Sequence, residues 1–377
     1  MLDSFEISQF GAFKHLKMDR LAHVNLIVGK NNSGKTMLLE ALRLYFADGR
    51  SDMIRTLLAG RDEVPLNPSA FTRVDVSIDA LYHGRHPDIR RGATICLGPL
   101  GDLAKQLTMT LVWLQREERE GGDISYRVVQ NEDAEHDPDV ELGLVVKQGI
   151  SSERVYPARA VGRVARVVWS ARRGSGHAAF VPAGSLDAGE IGRLWDAITL
   201  RGGEDRVLKC LKLVTPIERI SMVEHPSRST RLPIAITGPN REPVSLRSMG
   251  DGVFRMFQIA IALESASTNP SRQLSLFEDI SPTSVPILLD EIENGIHYSV
   301  LPDLWRFIFA GARWNGVQVF ATTHSWDCIQ AFQRAAAEAQ PDESLLIRLE
   351  PGEDETRAVT IDRDELAIVT RDDIEVR

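Results

Sequence analysis

Apolar and polar positions alternate along this chain with two different periods, and the period changes mark its elements. Nearly unbroken apolar runs at 24–28, 286–289 and 317–322 have the pattern of short strands buried on both faces. Helical periodicity follows each of them, at 37–44, 298–312 and 326–339, and appears again at 252–265. The opening residues, with Phe5, Ile7 and Phe10, read as a strand, followed by a second strand. Between these α/β stretches the period falls to two. Strands are expected at 71–82 (Val74, Val76, Ile78, Ala80), 107–115, 125–129, 142–147 and 164–169, with polar turns at 117–123 and 131–139. Residues 187–214 read as helical, with Ile191, Leu194, Trp195 and Ile198 on one face. Strands at 217–223, 232–236 and 243–246 follow, the last two joined by the turn Gly238-Pro239-Asn240. Residues 268–283 read as a polar, mobile loop, and two short strands at 345–349 and 358–361 close the fold. The expected organisation is an α/β core from 1–70 and 240–377, with a β-rich and helical insert from 71–240.

The polar residues at the ends of the apolar strands carry the chemistry. After the strand at 24–28 comes Gly29-Lys30-Asn31-Asn32-Ser33-Gly34-Lys35-Thr36, which matches G-x-x-x-x-G-K-[ST], the loop that cradles nucleotide phosphates. A strand before it and a helix after it supply the context the motif needs. Its glycines let backbone N–H groups turn toward phosphates, and the helix N-terminus adds a positive dipole end. Lys35 is expected to reach the β- and γ-phosphates of ATP, and the Thr36 hydroxyl to ligate Mg²⁺.

Three later elements narrow the reading. The run Val285-Pro286-Ile287-Leu288-Leu289 ends in Asp290-Glu291, which is the Walker B pattern. Asp290 is expected in the Mg²⁺ shell, with Glu291 placed to orient or deprotonate the attacking water. The strand Val319-Phe320-Ala321-Thr322-Thr323 is followed by His324, where a side chain can sense a γ-phosphate. Ser248-Met249-Gly250-Asp251-Gly252 opens the helix at 252–265; a serine and small glycines at a helix N-terminus suit an anion, here that of a second subunit's nucleotide.

Composition changes this picture little. A chain of 377 residues with 43% hydrophobic content is one large or two modest domains with a sizeable core. Net charge −9 argues against a wholly basic nucleic-acid-binding surface, although Arg154, Arg159, Arg163, Arg166, Arg172 and Arg173 form a basic cluster that is either a solvated face or a contact for nucleic-acid phosphates. Cys96, Cys210 and Cys328 are far apart without metal-ligand spacing, which fits a reducing cytoplasm. Met1 leads straight into a strand pattern, so no signal peptide is expected, and no apolar run is long enough to cross a bilayer.

Taken together, the stretches 29–46, 245–263, 287–305 and 319–325, with the opening 4–16, resemble ABC-type ATPase heads of the SMC/RecF group. The likeness is nearest to the OLD-like ATPases of prokaryotic phage-defence systems. It implies a P-loop NTPase of ABC/SMC-head type with a mixed sheet, using ATP and Mg²⁺. It implies a homodimer or higher oligomer in which each ATP lies between the P-loop of one subunit and Ser248 and Gly250 of the other. Asn294-Gly295-Ile296-His297 falls where such proteins carry a loop that crosses the dimer interface, and Glu293 there is either an assisting group or a solvated carboxylate. Phe13, Lys14 and His15 are read as a loop before the second strand that either nears the nucleotide or stays solvated. Neither Gln106 nor Gln115 has a context that fits the glutamine linking the Mg²⁺ site to lobe motion.

Full-length OLD nucleases add a metal-binding Toprim domain. The stretch after Glu350 is shorter than such a domain, and Asp372-Asp373 reads as a solvated turn. The resemblance therefore implies a cytoplasmic ATPase sensor or engine in a phage-defence module, controlling a separate effector such as a Toprim-like nuclease or a toxin. The alternative is a DNA-repair or chromosome-maintenance ATPase that binds DNA. A transporter subunit is disfavoured, because Ser248–Gly252 departs from the LSGGQ form.

Overall fold

The computed structural model describes residues 1–63, 77–85, 92–118, 124–129, 137, 139–150, 153–158, 161, 178–224, 231–237, 242–266, 285–352 and 355–376. The expected strand at 164–169, the turn at 238–240, the loop at 268–283 and most of the arginine cluster (Arg159, Arg163, Arg166, Arg172 and Arg173) lie outside these residues.

The centre is a six-stranded mixed sheet. Its strands are β3 (Val24–Gly29), β9 (Ala179–Val181), β13 (Ile287–Leu289), β14 (Val319–Thr322), β15 (Ser344–Pro351) and β16 (Thr356–Ile361). Their order is β16-β15-β3-β14-β13-β9, parallel throughout except for the antiparallel edge β16. Side-chain alternation sorts these strands between two cores. Val24, Leu26, Val28, Ile287, Leu289, Val319 and Ala321 face one way. Ile27, Leu288, Phe320, Leu345, Ile347 and Leu349 face the other. A strand apolar at every position is thus buried on both faces, as the unbroken apolar runs predict.

The first core is helical. It packs α3 (Ala188–Thr199), α4 (Glu204–Leu211), α5 (Asp251–Ser265), α6 (Leu301–Asn315) and α7 (Trp326–Ala337) against the sheet, with Leu366 of α8 (Arg363–Arg371). The helical stretch expected over 187–214 is two helices, broken at Arg201-Gly202, where Gly202 takes φ +67. Ile191, Trp195 and Ile198 are buried as their spacing predicts.

The second core lies between the parallel sheet and a seven-stranded antiparallel sheet. It holds α1 (Lys35–Phe46) and α2 (Ser51–Gly60). This sheet joins β1 (Phe5–Phe10) and β2 (Phe13–Met18) to β4 (Thr94–Gly98), β5 (Leu107–Glu118), β6 (Ile124–Val129), β7 (Val140–Gln148) and β8 (Arg154–Pro157), in the order β2-β1-β4-β5-β7-β8 with β6 on β5. Strands from 94–157 therefore continue a sheet begun at the chain's start, and β9 at 179–181 is a strand of the parallel sheet. A separate three-stranded sheet is formed by β10 (Ile217–Glu224), β11 (Arg231–Thr237) and β12 (Pro243–Ser245).

Two expectations are corrected. The segment Ile78–Leu81 is a 3₁₀ helix rather than a strand. Ile78, Ala80, Leu81 and Tyr82 are all buried, three of them consecutive as no half-buried strand would have them, and Gly11 donates to Leu81 O at 2.8 Å and Arg61 to Ala80 O at 3.2 Å. Phe13, Lys14 and His15 are not loop residues: they begin β2, with Phe13 paired to Phe10 across the hairpin.

Candidate nucleotide-binding site

The C-terminal ends of β3, β13 and β14 converge, which is where an open α/β sheet places its ligand. The loop Gly29–Gly34 leaves β3 and enters α1. Its backbone demands glycine at two points. Gly29 has φ +151, and a Cβ there would lie 2.6 Å from Ser33 Oγ and 2.8 Å from Leu349 O. Gly34 has φ +95, and a Cβ there would lie 2.5 Å from the buried Phe13 ring. Asn32 also takes a positive φ, which asparagine tolerates. Gly34 is the N-cap of α1 and offers no side-chain acceptor, so the first-turn N–H groups are open to an anion. Lys30, Asn31 and Asn32 are exposed at the loop's tip, while Ser33 is buried.

Lys35 Nζ folds back over this loop, donating to Gly29 O at 2.7 Å and Lys30 O at 3.0 Å. Burial pulls its ammonium below the usual lysine range, opposed by the nearby carboxylates Glu291, Asp290 and Glu293. Two main-chain carbonyls thus hold the ammonium directly, with the three carboxylates beyond them.

Thr36 is the next residue on α1, and it faces Asp290. Its hydroxyl lies 3.3 and 3.2 Å from the two Asp290 carboxylate oxygens. Asp290 is buried and held from two further sides: its Oδ1 accepts from Thr322 Oγ1 at 2.7 Å, and its backbone N–H donates to Val181 O at 2.9 Å. A hydroxyl and a carboxylate facing one point form a hard, oxygen-only donor set suited to Mg²⁺. Among the described residues there is no cluster of three or more His, Cys, Asp and Glu for a metal.

Glu291 follows with φ +47, a left-handed backbone that strains a non-glycine residue. Three contacts impose it. Glu291 N–H donates to Thr322 Oγ1 at 2.8 Å, Ile292 N–H donates to Thr322 O at 3.1 Å, and the Arg255 guanidinium donates to Glu291 O at 3.2 Å. The turn points the Glu291 carboxylate to where it is 40% exposed, while Asp290 beside it stays buried. His324 closes the cluster, with Nδ1 3.4 Å from Glu293 Oε1 and 3.9 Å from Glu291 Oε1.

Ser248 and Gly250 stand apart from this cluster. They precede α5, are exposed, and Ser248 Oγ donates to Ser245 O at 2.7 Å. Gly250 has φ +107, and a Cβ added there would meet no atom within 4 Å. The space before the α5 N-terminus is open. Two residues further on, Gly252 lies so close to the loop after Glu291 that a Cβ would come within 2.5 Å of Gly295 O. Gln106 and Gln115 lie at the start of β5 and within it, where Gln115 accepts from Arg127 at 2.9 Å.

Sequence reasoning missed two contributors. Thr322 bridges Asp290 and the Glu291 backbone, and its signal was present as the polar end of an apolar strand. Arg255 lies on α5 and is 3% exposed. Its guanidinium donates to the carbonyls of Pro182, Gly184, Asp290 and Glu291. Burial lowers its pKa to about 10. An arginine in an apolar helical run is the signal that could have found it.

Comparison with known proteins falls on the same segments. Residues 1–82 match a model described as "AAA ATPase domain", and residues 228–327 match one described as "AAA domain, putative AbiEii toxin, Type IV TA system". An uncharacterized protein of Methanocaldococcus jannaschii is 37% identical over 59 residues, 15% of this chain and 27% of that protein. An ATP/GTP phosphatase of Helicobacter pylori is 45% identical over 51 residues, 14% of this chain and 13% of that protein. The chain thus spans well under a third of either curated relative. Two solved structures are similar at low identity. One is the SMC head domain from Thermotoga maritima, with 14% identity, a TM-score of 0.43, and coverage of 96% of this chain and 99% of that one. The other is an SMC head bound to the C-winged helix domain of ScpA, with 12% identity, a TM-score of 0.47, and coverage of 96% and 97%. No helix among the described residues is long and apolar enough to cross a membrane. Two separate stretches, one carrying the P-loop and the other Asp290 and His324, therefore match AAA ATPase domains, and β3, β14 and β13 join them in one sheet.

Proposed function

We propose that this chain binds ATP with Mg²⁺ and hydrolyses it as an ABC-type ATPase, and that it works as a dimer whose two sites are shared between subunits. The observation that carries the reading is the convergence of Thr36, Asp290, Thr322 and Glu291 at the ends of three parallel strands, directly beneath a P-loop. The first-turn N–H groups of α1 and Lys35 bind the phosphates, with Lys35 exchanging its two carbonyl contacts for phosphate oxygens. Thr36 and Asp290 hold Mg²⁺, which when bound neutralises charge on the phosphate oxygens. Glu291, exposed on its strained turn, orients the attacking water and accepts its proton. His324 contacts the γ-phosphate. Ser248 and Gly250 face the nucleotide of a second copy across the open space before α5.

The biological role we infer is a sensor or engine in a phage-defence module, acting on a separate effector protein. The support is the resemblance of the nucleotide motifs to OLD-like ATPases and the match of 228–327 to a family whose description includes a toxin of a toxin–antitoxin system. In this reading the stretches 1–70 and 240–377 carry the nucleotide motifs, and β9 of the intervening region extends their sheet beside β13.

One experiment tests the enzymatic half. Glu291→Gln should bind ATP, lose turnover by about 10²-fold or more, and shift from monomer to dimer with ATP in size-exclusion chromatography with light scattering. Lys35→Ala should also lose turnover, but should neither bind ATP nor dimerise with it. A Glu291→Gln protein that binds ATP and stays monomeric contradicts the shared site. Turnover stimulated by DNA and lost with rising salt would assign the chain to DNA maintenance instead.

A further inference from the structure

Arg255 is a buried cation that the proposed mechanism does not use. It lies in α5, where every residue from Phe254 to Glu264 is buried. Its four hydrogen bonds among the described residues all go to main-chain carbonyls. Nη1 donates to Pro182 O and, at 3.3 Å, to Gly184 O, in the loop after β9. Nη2 donates to Asp290 O and, at 3.2 Å, to Glu291 O, in the turn after β13. Nε is buried without a hydrogen-bond partner among the described residues. A charge taken out of water with one donor unpaired costs stability that an apolar side chain of similar length would not. The position therefore calls for a two-pronged donor and not for packing alone.

The two carbonyls on Nη2 flank one residue. Asp290 O belongs to the peptide plane that enters Glu291, and Glu291 O to the plane that leaves it. The backbone angles of Glu291 are the rotations between those planes, and its φ is +47. The N–H edges of the same two planes are held from the opposite side. Glu291 N–H donates to Thr322 Oγ1 at 2.8 Å, and Ile292 N–H to Thr322 O at 3.1 Å. Thus β14 grips the donors of the turn and α5 grips its acceptors. A strained conformation persists only where its surroundings over-determine it, and these four bonds do so. They fix the direction in which the Glu291 side chain leaves the backbone. The same face of α5 meets this segment again: Gly252, three residues before Arg255, packs against Gly295.

We infer that Arg255 is a positioning residue for Glu291: its guanidinium holds both peptide planes around the strained residue and, through Pro182 and Gly184, locks them to α5 and to the loop after β9. No proton passes to or from Arg255. Lysine cannot replace it, because a single ammonium has no fork to span two loops. The consequence, a Glu291 carboxylate set for the attacking water, rests on the ATPase reading; the grip on the turn does not.

Two measurements on the full-length chain test it, each with two variants. Arg255→Lys keeps the charge without the fork, and Arg255→Gln is neutral and too short for the span, so it leaves no buried charge unpaired. Without nucleotide, amide hydrogen exchange over 288–294, read by mass spectrometry, should rise about tenfold in both variants, while β15 exchanges as in the unaltered protein. Unchanged exchange over 288–294 would mean that Thr322 holds the turn alone and would overturn the inference, whether or not the chain hydrolyses ATP. An equal rise in β15 would mark a role in the whole fold and overturn it too. The second measurement is turnover. Each variant should lower kcat about tenfold with KM for ATP changed less than about twofold, since Arg255 acts through another residue. In single-turnover hydrolysis, Arg255→Lys combined with Glu291→Gln should be no slower than Glu291→Gln alone. Multiplying effects would overturn the inference. Absence of ATP turnover in the unaltered protein would overturn the enzymatic reading while leaving the exchange result to stand.

Discussion

A single threonine ties the two halves of the candidate site together. Thr322 is fully buried, yet its hydroxyl donates to Asp290 Oδ1 and accepts from Glu291 N–H. Valine has the same shape without the hydroxyl, so Thr322→Val leaves a buried carboxylate oxygen and a buried N–H each short of a partner. The expected cost is about 1–3 kcal/mol per unpaired group, read by urea denaturation. The strained turn at Glu291 should relax at the same time, lowering kcat about tenfold, whereas Thr322→Ser retains the hydroxyl and should recover most of both. A Thr322→Val protein with parental stability and turnover would show that the hydroxyl only fills space. Thr322 was legible as the polar end of an apolar strand. Its role was not, because the sequence cannot say which carboxylate lies across the sheet.

At the scale of elements, the strands and helices carrying the motifs were legible because each combined a long periodic pattern with a polar terminus. Those that were not are short or are fixed by partners far away in sequence. β9 has three residues, Ala179–Val181, too few for any period, yet its Val181 carbonyl anchors Asp290. The helix at Arg363–Arg371 buries only Leu366, so no apolar stripe announces it. The 3₁₀ turn at Ile78–Leu81 read as a strand because apolar residues alternate up to Ala80, whereas tertiary contacts bury Leu81 and Tyr82 as well. The contact between the start of α5 and the loop after Glu291 is of the same kind. Gly252 and Gly295 are unremarkable in sequence, but the backbones meet where a Cβ on Gly252 would lie 2.5 Å from Gly295 O. Gly252→Ala must push α5 off that loop, at a cost of about 1–3 kcal/mol by thermal or urea unfolding. Affinity for a fluorescent ATP analogue at the P-loop should change less than about twofold. ATP-driven dimerisation should weaken, because Ser248 and Gly250 move with α5. Equal losses in both would place Gly252 in the nucleotide pocket itself.

For the whole molecule, the question is whether the two motif sets serve one nucleotide within a chain or sites shared between copies. Thr36 and Thr322 both bond Asp290, with Glu291 tied to them through Thr322, while Ser248 and Gly250 stand exposed before α5 over open space. If a second copy fills that space, damage to the P-loop and damage to the α5 start lie in the same composite site only when they come from different chains. Lys35→Ala destroys the nucleotide-binding half, and Gly250→Arg fills the open half with a long side chain. Each variant alone should be inactive, since every site in its homodimer has one broken half. Mixed in equal amounts, about half of the dimers of a two-fold assembly are heterodimers, and each has one site built from the two intact halves and one built from the two broken halves. Turnover of the mixture should therefore return to about one quarter of the parental rate, rising to about one half when heterodimers are purified by two affinity tags. A chain whose own Gly250 served its own P-loop would give no recovery at any ratio. The result thus distinguishes a site shared between two copies from a site complete within one.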